Sequence, residues 1–222
     1  MTAARPPGPK PRFTKEELAR KALAIMDRHG AEALTMRRLA QELGMGTMTL
    51  YRYFSSKDEL VDAAIELAAP EVTLPDPGAG PWRDQLAELA RSLFRAGVRH
   101  PSLARERFER PLQSSSATRI TDRCIALVLE AGLTKAEAVA AFKALLVHTL
   151  GAAVFASSEA RPQVRRKARA RHAAVDASVV PAMASVASEL TAALGTDDAF
   201  ELGLEALLDG IEARSLRRRR AR

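Results

Sequence analysis

The side chains best suited to chemistry at a surface are crowded between Thr35 and Lys57. Thr47, Met48, Thr49, Tyr51 and Arg52 present hydroxyls, one apolar group and one cation in a short run. Hydroxyls and cations bind phosphate oxygens and base edges, and an apolar tip suits a thymine methyl. Elsewhere nothing converges. His29, His100, His148 and His172 are scattered, without partners at metal-ligand spacing. Gly44 and Gly46 lack the third glycine and preceding strand of a dinucleotide loop, and Ser114, Ser115 and Ser116 lack the elbow of a nucleophile. No acid pair, base and nucleophile come together, so the expectation is a binding protein with no cofactor and no metal, not an enzyme.

Two short helices joined by a tight turn must position this run. Leu39, Ala40 and Leu43 mark the inner face of the first, and Leu50, Tyr53 and Phe54 that of the second, at the spacing of half-buried helices. Gly44 sits where the chain reverses and can take the left-handed conformation that ends one helix and aims the next. Ala40 is small where two steeply crossed helices touch. Ser56 with Glu59 forms a capping-box pattern that opens a further helix through Leu60, Ala64 and Leu67 to Pro70. Lys57 then stands at a helix N-terminus, a natural phosphate clamp.

The segment LTMRRLAQELGMGTMTLYRYFSSKDEL resembles the DNA-binding motif of the tetracycline-repressor (TetR) family, including the Leu50-Tyr51 pair, Phe54 and the Ser-Lys-Asp-Glu-Leu helix start. The resemblance covers about the first sixty residues closely. It implies that Arg37, Thr47 and Met48 contact bases while Thr35, Thr49, Tyr51, Tyr53 and Lys57 hold phosphates of a double-stranded DNA operator.

Composition agrees with such a partner. The net charge of +7 points to a polyanion, although charge alone does not separate nucleic acid from a membrane surface. With 47% hydrophobic but only 5% aromatic residues, the cores should be built of Leu, Ala and Val, which favours helices. A lone cysteine, Cys124, and no signal-peptide pattern at the start give a reducing cytoplasm as the expected location. The most apolar stretch, Ala144 to Ala156, is interrupted by His148 and Thr149 and reads as too short to span a bilayer.

Along the chain, residues 1–13 hold Arg5, Lys10 and Arg12 among prolines and read as a flexible basic arm, able to follow a minor groove. Thr14 with Glu17 opens a helix through Leu18, Ala22, Ile25 and Met26 that His29-Gly30 ends. The Pro/Gly-dense connection from Leu74 to Pro81 places a domain boundary after the fourth helix, giving a DNA-binding domain at 14–74 and a larger domain at 75–215. That larger domain is helical throughout, so the expected fold is all-α. Its predicted helices run from Trp82 to Val98, over Leu103 to Glu109, from Ser116 to Ala131, from Thr134 past Val154, from Val180 to Leu194, and from an Asp198/Glu201 cap to Ile211. Residues 161–171 read as a mobile basic loop, and 216–222 as a basic tail.

This second part resembles the family's ligand-binding domain less closely, through Trp82-Arg83-Asp84, the His100 region, Arg110-Pro111 and His148-Thr149-Leu150-Gly151. Phe155 stands where the resemblance would put an acidic ligand contact and Leu89 where it would put a polar one, so the pocket carries over and its occupant does not. Trp82, Leu86, Leu89, Leu93, His100, Arg110, Phe142, His148 and Phe155 are the candidate lining of a small-molecule effector site. Helices near 134–155 and 198–211 either pack within one subunit or meet their copies in the four-helix bundle that is the family's usual homodimer interface. The expectation is a dimeric repressor of a palindromic operator, released by an effector. The alternatives are an architectural DNA-binding protein without one, and a small-molecule-binding enzyme that carries a helix-turn-helix, which would need a convergent catalytic group.

Overall fold

The structure, a computed structural model, describes residues 13–109 and 113–220. Every regular element among them is helical. Helices α1 (Lys15–His29), α2 (Met36–Glu42), α3 (Thr47–Tyr51) and α4 (Lys57–Ala68) form the N-terminal part. Helices α5 (Trp82–Arg99), α6 (Pro101–Glu109), α7 (Ser115–Glu130), α8 (Lys135–Glu159), α9 (Pro162–Ala173), α10 (Pro181–Ser185), α11 (Ala187–Ala192) and α12 (Asp198–Arg220) follow. Single 3-10 turns occupy Ala31–Ala33 and Ala69–Glu71. The expected arm residues Arg5, Lys10 and Arg12 lie outside the described residues.

Local chemistry sets most helix ends. Thr14 with Glu17, and Thr134 with Glu137, make both halves of a capping box. At α4 the box is displaced. Ser56 Oγ accepts from the Glu59 amide at 3.1 Å, but the Glu59 carboxylate accepts instead from the Ser55 amide at 2.7 Å and the Ser55 hydroxyl at 2.9 Å. Gly44 has φ +59, the left-handed turn expected between α2 and α3. Ala40 is fully buried there, and its carbonyl accepts from the Met45 amide at 3.0 Å.

Several expectations need correction. Residues 161–171 form most of α9 and are not a loop. Arg, Lys, Gln and Ala are strong helix formers, Pro162 is tolerated in a first turn, and cations in the last turn favour the helix dipole. The same propensities carry α12 through Arg220, so the basic end is helical as far as it is described. The helix expected over Val180 to Leu194 breaks into α10 and α11 at Val186, whose φ of −124 and ψ of 17 are not helical. Asp198 is the first residue of α12 and not its cap, while the Glu201 carboxylate turns to Arg91, with Nε and Nη2 at 3.0 and 2.8 Å. The apolar stretch is longer than it reads, because α8 spans 25 residues and is long and apolar enough to cross a membrane by length and composition. In this fold it packs against α5, α6, α7 and α12.

Two apolar clusters result. One gathers Leu18, Ile25 and Met26 of α1, Leu34, Leu39, Leu50 and Phe54, with Leu60, Val61 and Ala64 of α4. The other gathers Leu86, Leu89 and Phe94 of α5, Leu127 and Val128 of α7, Leu145 and Ala153 of α8, and Phe200, Leu204 and Leu208 of α12. The Phe94 and Phe200 rings stack with centroids 4.0 Å apart at the α5–α12 seam. Arg83 spans the same seam to Glu205, Asp209 and Glu212. These pairs are partly solvated, so they add orientation more than stability.

Helices α5 and α8 meet closely at Gly97, where an added Cβ would lie 2.8 Å from the Ala153 Cβ. Gly97→Ala sets a helix-propensity gain of about 1 kcal/mol against overpacking of about 1–3 kcal/mol. A net loss of stability in urea unfolding is expected. A more stable variant would show that the α5–α8 crossing relaxes freely.

Candidate nucleic-acid interface and the cavity behind it

The turn at Gly44 holds α2 and α3 so that the face of α3 opposite Leu50 points outward. Met48 is 78% exposed, an unusual state for so apolar a side chain, and Thr49, Tyr51 and Arg52 are exposed beside it. Thr47 is half-buried at the first turn of α3, and Tyr53 is half-buried against the N-terminal core. On α2, Thr35 is the N-cap and its hydroxyl accepts from the Arg38 amide at 3.1 Å. Arg37 and Arg38 then differ in kind. Arg38 is tied to Glu42 at 3.2 Å, whereas Arg37 is exposed and has no ion-pair partner among the described residues. Of the expected base and phosphate contacts, Thr35, Arg37, Thr47, Met48, Thr49 and Tyr51 belong to these two neighbouring short helices and their caps, whereas Tyr53 follows α3 and Lys57 lies on α4.

The start of α4 fixes this surface. Glu59 accepts from Ser55 and pairs with Lys15 at 2.9 Å, and these contacts lower its carboxyl to about 2, the Ser55 amide contributing most. Lys57 is half-buried and donates to the Ala31 carbonyl at 3.0 Å. One of its three donors therefore fastens the turn after α1, and the ammonium sits at the α4 N-terminus.

Behind the interface lies a cavity of about 110 Å³, walled by Ile65, Ala68, Ala69 and Val72 from α4 and the turn after it, and by residues of α5, α6, α7 and α8. A smaller lobe of about 40 Å³ lies deeper between α5, α7 and α8. Of the residues expected to line a pocket, His100 and Leu93 line the first, and Leu86, Leu89, Leu93 and Phe142 line the second. Trp82 packs on the edge of the core, away from both lobes. His148 faces α12, stacking on Phe200 with centroids 5.5 Å apart and its Nε2 lying 2.9 Å from the Phe200 carbonyl oxygen. Phe155 is 63% exposed and borders neither lobe. Arg110 lies outside the described residues. The α4 wall, with Leu103, Ala104, Arg107, Ile120, Thr121, Leu146 and Leu150, was not anticipated. The 3.6-residue spacing of Leu146 and Leu150 with Phe142 was the one available signal. Cys124 borders the deeper lobe, and burial pushes its thiol up to about 12. Among the described residues no group of three or more His, Cys, Asp or Glu is placed to hold a metal ion.

Three polar joints tie α1 and α4 to the second cluster. The His100 ring lies between Asp27 of α1, 3.0 Å from Nδ1, and Glu71, 3.2 Å from Nε2. Ser102 Oγ donates to the Met26 carbonyl at 2.8 Å. The Glu66 carboxylate of α4 sits on the first turn of α7, accepting from the Ser116 amide and the Ser115 hydroxyl at 3.0 Å each. Burial opposes its ionisation, yet the bonds from Ser116, Ser114 and Ser115 bring it to about 2.

Hydrogen bonding to Asp27, then to Glu71, raises His100 above 6.5 against the opposing effect of burial. Because the folded-state value is raised, the stability His100 contributes is complete below pH 6.5 and is lost as pH rises through the folded value. NMR titration of the ring should give a midpoint above 6.5, and the stability gap between wild type and His100→Gln should narrow as pH rises from about 6 through that midpoint. A midpoint below 6.5 would contradict the bridging geometry.

Known proteins share this arrangement. A family model described as "Bacterial regulatory proteins, tetR family" matches residues 18–64, and one described as "Tetracyclin repressor-like, C-terminal domain" matches residues 74–215. The chain is 34% identical over 223 residues to the HTH-type transcriptional repressor DrrR1 of Streptomyces coeruleorubidus, covering 96% of this chain and 82% of that protein. It is 30% identical over 208 residues to the class C tetracycline repressor of Escherichia coli, covering 90% and 91%. Among solved structures, ActR of Streptomyces coelicolor in complex with actinorhodin superposes with a TM-score of 0.76 at 31% identity, covering 92% of this chain and 99% of that one. BioQ with its double-stranded DNA operator gives 0.63 at 25% identity, covering 91% and 99%. With both parts of the chain matched, and the helix-turn-helix and the second helical cluster built as described, this protein belongs to the TetR family of bacterial transcriptional regulators.

Proposed function

We propose that the chain is a homodimeric repressor of a palindromic operator, released by a small-molecule effector. The observation that carries this reading is the double use of α4: its Leu60, Val61 and Ala64 belong to the core of the helix-turn-helix, and its Ile65 and Ala68 wall the cavity. An occupant favouring a different tilt of α4 would move the α2–α3 surface. The shift is limited by the occupant's differential affinity for the two states. ActR with actinorhodin and BioQ with its operator are relatives in which the two kinds of partner are each seen. The functional division falls after α4, with residues 14–74 reading DNA and 75–215 holding the second subunit and, together with the α4 wall, the effector. An architectural protein without an effector would have no use for a cavity against α4, which favours the repressor reading.

A second copy is supported by the outer sides of α8 and α12. These adjacent helices leave Val147, Phe155 and Leu202 exposed at 59%, 63% and 76%. Large apolar side chains exposed together mark an interface, and a two-fold pairing of α8 and α12 would cover them. A dimer would also set two copies of α3 about 34–36 Å apart, one turn of duplex, giving the specificity a five-residue helix lacks.

Selection from a random duplex library by the purified protein at physiological salt should enrich a palindrome. Retention of DNA without enrichment would favour the architectural reading. Within an enriched site, Arg37→Ala should cost about 1–3 kcal/mol and relax one base position. Lys57→Ala should weaken all duplexes alike and lower the salt slope by about one. Equal losses on every sequence for both variants would refute that division of roles. Val147→Glu with Phe155→Glu should turn a sedimenting dimer into a folded monomer, and a persistent dimer would rule out this face.

A further inference from the structure

The two lobes are ends of one slot, because Leu93, Ile120, Thr121 and Leu146 border both. Among the described residues its wall is almost entirely carbon, and no aspartate or glutamate lines either lobe. Three polar side chains among the described residues interrupt the first lobe. His100 has both ring nitrogens committed to Asp27 and Glu71 and has little left for an occupant. Thr121 lies where the lobes meet, is half-buried, and makes no side-chain hydrogen bond among the described residues. Arg107 of α6 also lines the first lobe and is half-exposed, so a stem on the wall would leave its guanidinium at the solvent side.

Arg107 differs from the arginines of α5 and α7, although Arg105 of its own helix is likewise without a partner among the described residues. Arg83, Arg91 and Arg99 each hold carboxylates, and Arg123 holds the Pro75 and Asp76 carbonyls and Gln85. Arg107 makes no ion pair or hydrogen bond among the described residues. A cationic ligand entering this slot would pass an unpaired guanidinium and find no counter-ion inside. A neutral ligand would gain only apolar burial. An acid would gain the same burial and a charge-assisted bond at the entrance.

We infer that the effector is an elongated apolar acid, its anionic oxygens on Arg107 and an oxygen along its body accepting from the Thr121 hydroxyl. This rests on the reading of the chain as an effector-released regulator. The slot, the lack of an internal carboxylate and the free guanidinium select the charge of the ligand. The aliphatic wall selects its body.

Fluorescence titration of the full-length protein with anthracene-2-carboxylate and with its uncharged amide, anthracene-2-carboxamide, tests this. Wild type should bind the acid at least about tenfold more tightly than the amide. Arg107→Met should bring the acid down to the amide's affinity while leaving the amide unchanged, and Arg107→Lys should restore part of the preference. Unfolding midpoints would show that both variants are folded. Equal binding of acid and amide by wild type, a preference that survives Arg107→Met, or no binding of either probe would overturn the inference. Adding both probes to the protein on its selected duplex separates the two readings. An acid that binds as expected without releasing DNA leaves the slot chemistry standing and removes the release mechanism. Release by acid and amide alike leaves the release mechanism standing and removes the inference.

Discussion

The architecture depends on α4 belonging to two packed bodies at once. Leu60, Val61 and Ala64 are fully buried against α1 and the helix-turn-helix. One to two turns further on, Ile65, Ala68 and Ala69 face the slot, and Glu66 is held on the first turn of α7. A helix of this length is stiff on the scale of the displacements that matter in recognition, so its two ends cannot answer to different neighbours independently. A small change of volume at one end would become a change of direction at the other. The joints at His100 and Ser102 add a second connection, from α5 and α6 to the end of α1. The N-terminal body is thus held at two places, and the slot lies between them.

The parts of this arrangement visible in the sequence were those with a local cause. Gly44 fixes a left-handed turn, Ala40 a close crossing, and the threonine capping boxes two helix starts. The outward face of α3 followed from Leu50 being the inward one. What was not visible depended on neighbours distant in the chain. Helix α8 is apolar on nearly all sides, so its periodicity does not tell which residues face the slot, which face α12 and which are exposed. That ambiguity put His148 and Phe155 on a pocket wall, where the structure gives the first to Phe200 and the second to solvent. Helix α9 was missed for a different reason. Its cations read as a self-repelling loop, but Arg, Lys, Gln and Ala propensities prevail once Pro162 and the end of α8 start the helix.

Several arginines and His100 hold the frame, while others carry no partner among the described residues. Arg38, Arg83, Arg91, Arg123 and His100 all have partners within the chain. Arg37 and Arg52 at the outer surface and Arg107 at the slot have none among the described residues. Other cations, among them Arg28, Arg105, Lys143 and most of those on α9, are likewise without an ion pair among the described residues, so it is their position beside α3 and beside the slot that sets Arg37, Arg52 and Arg107 apart.

The most direct test of the central claim removes the effector from the experiment. Ala69→Leu fills the slot from the α4 side with the protein's own atoms, and the affinity of this variant for the selected duplex can be compared with wild type at equal salt. If α4 transmits the state of the slot, operator affinity falls about tenfold while the unfolding midpoint stays near wild type. Unchanged operator affinity in a folded, slot-filled protein would contradict the account, because the slot and the DNA-reading helices would then be energetically separate.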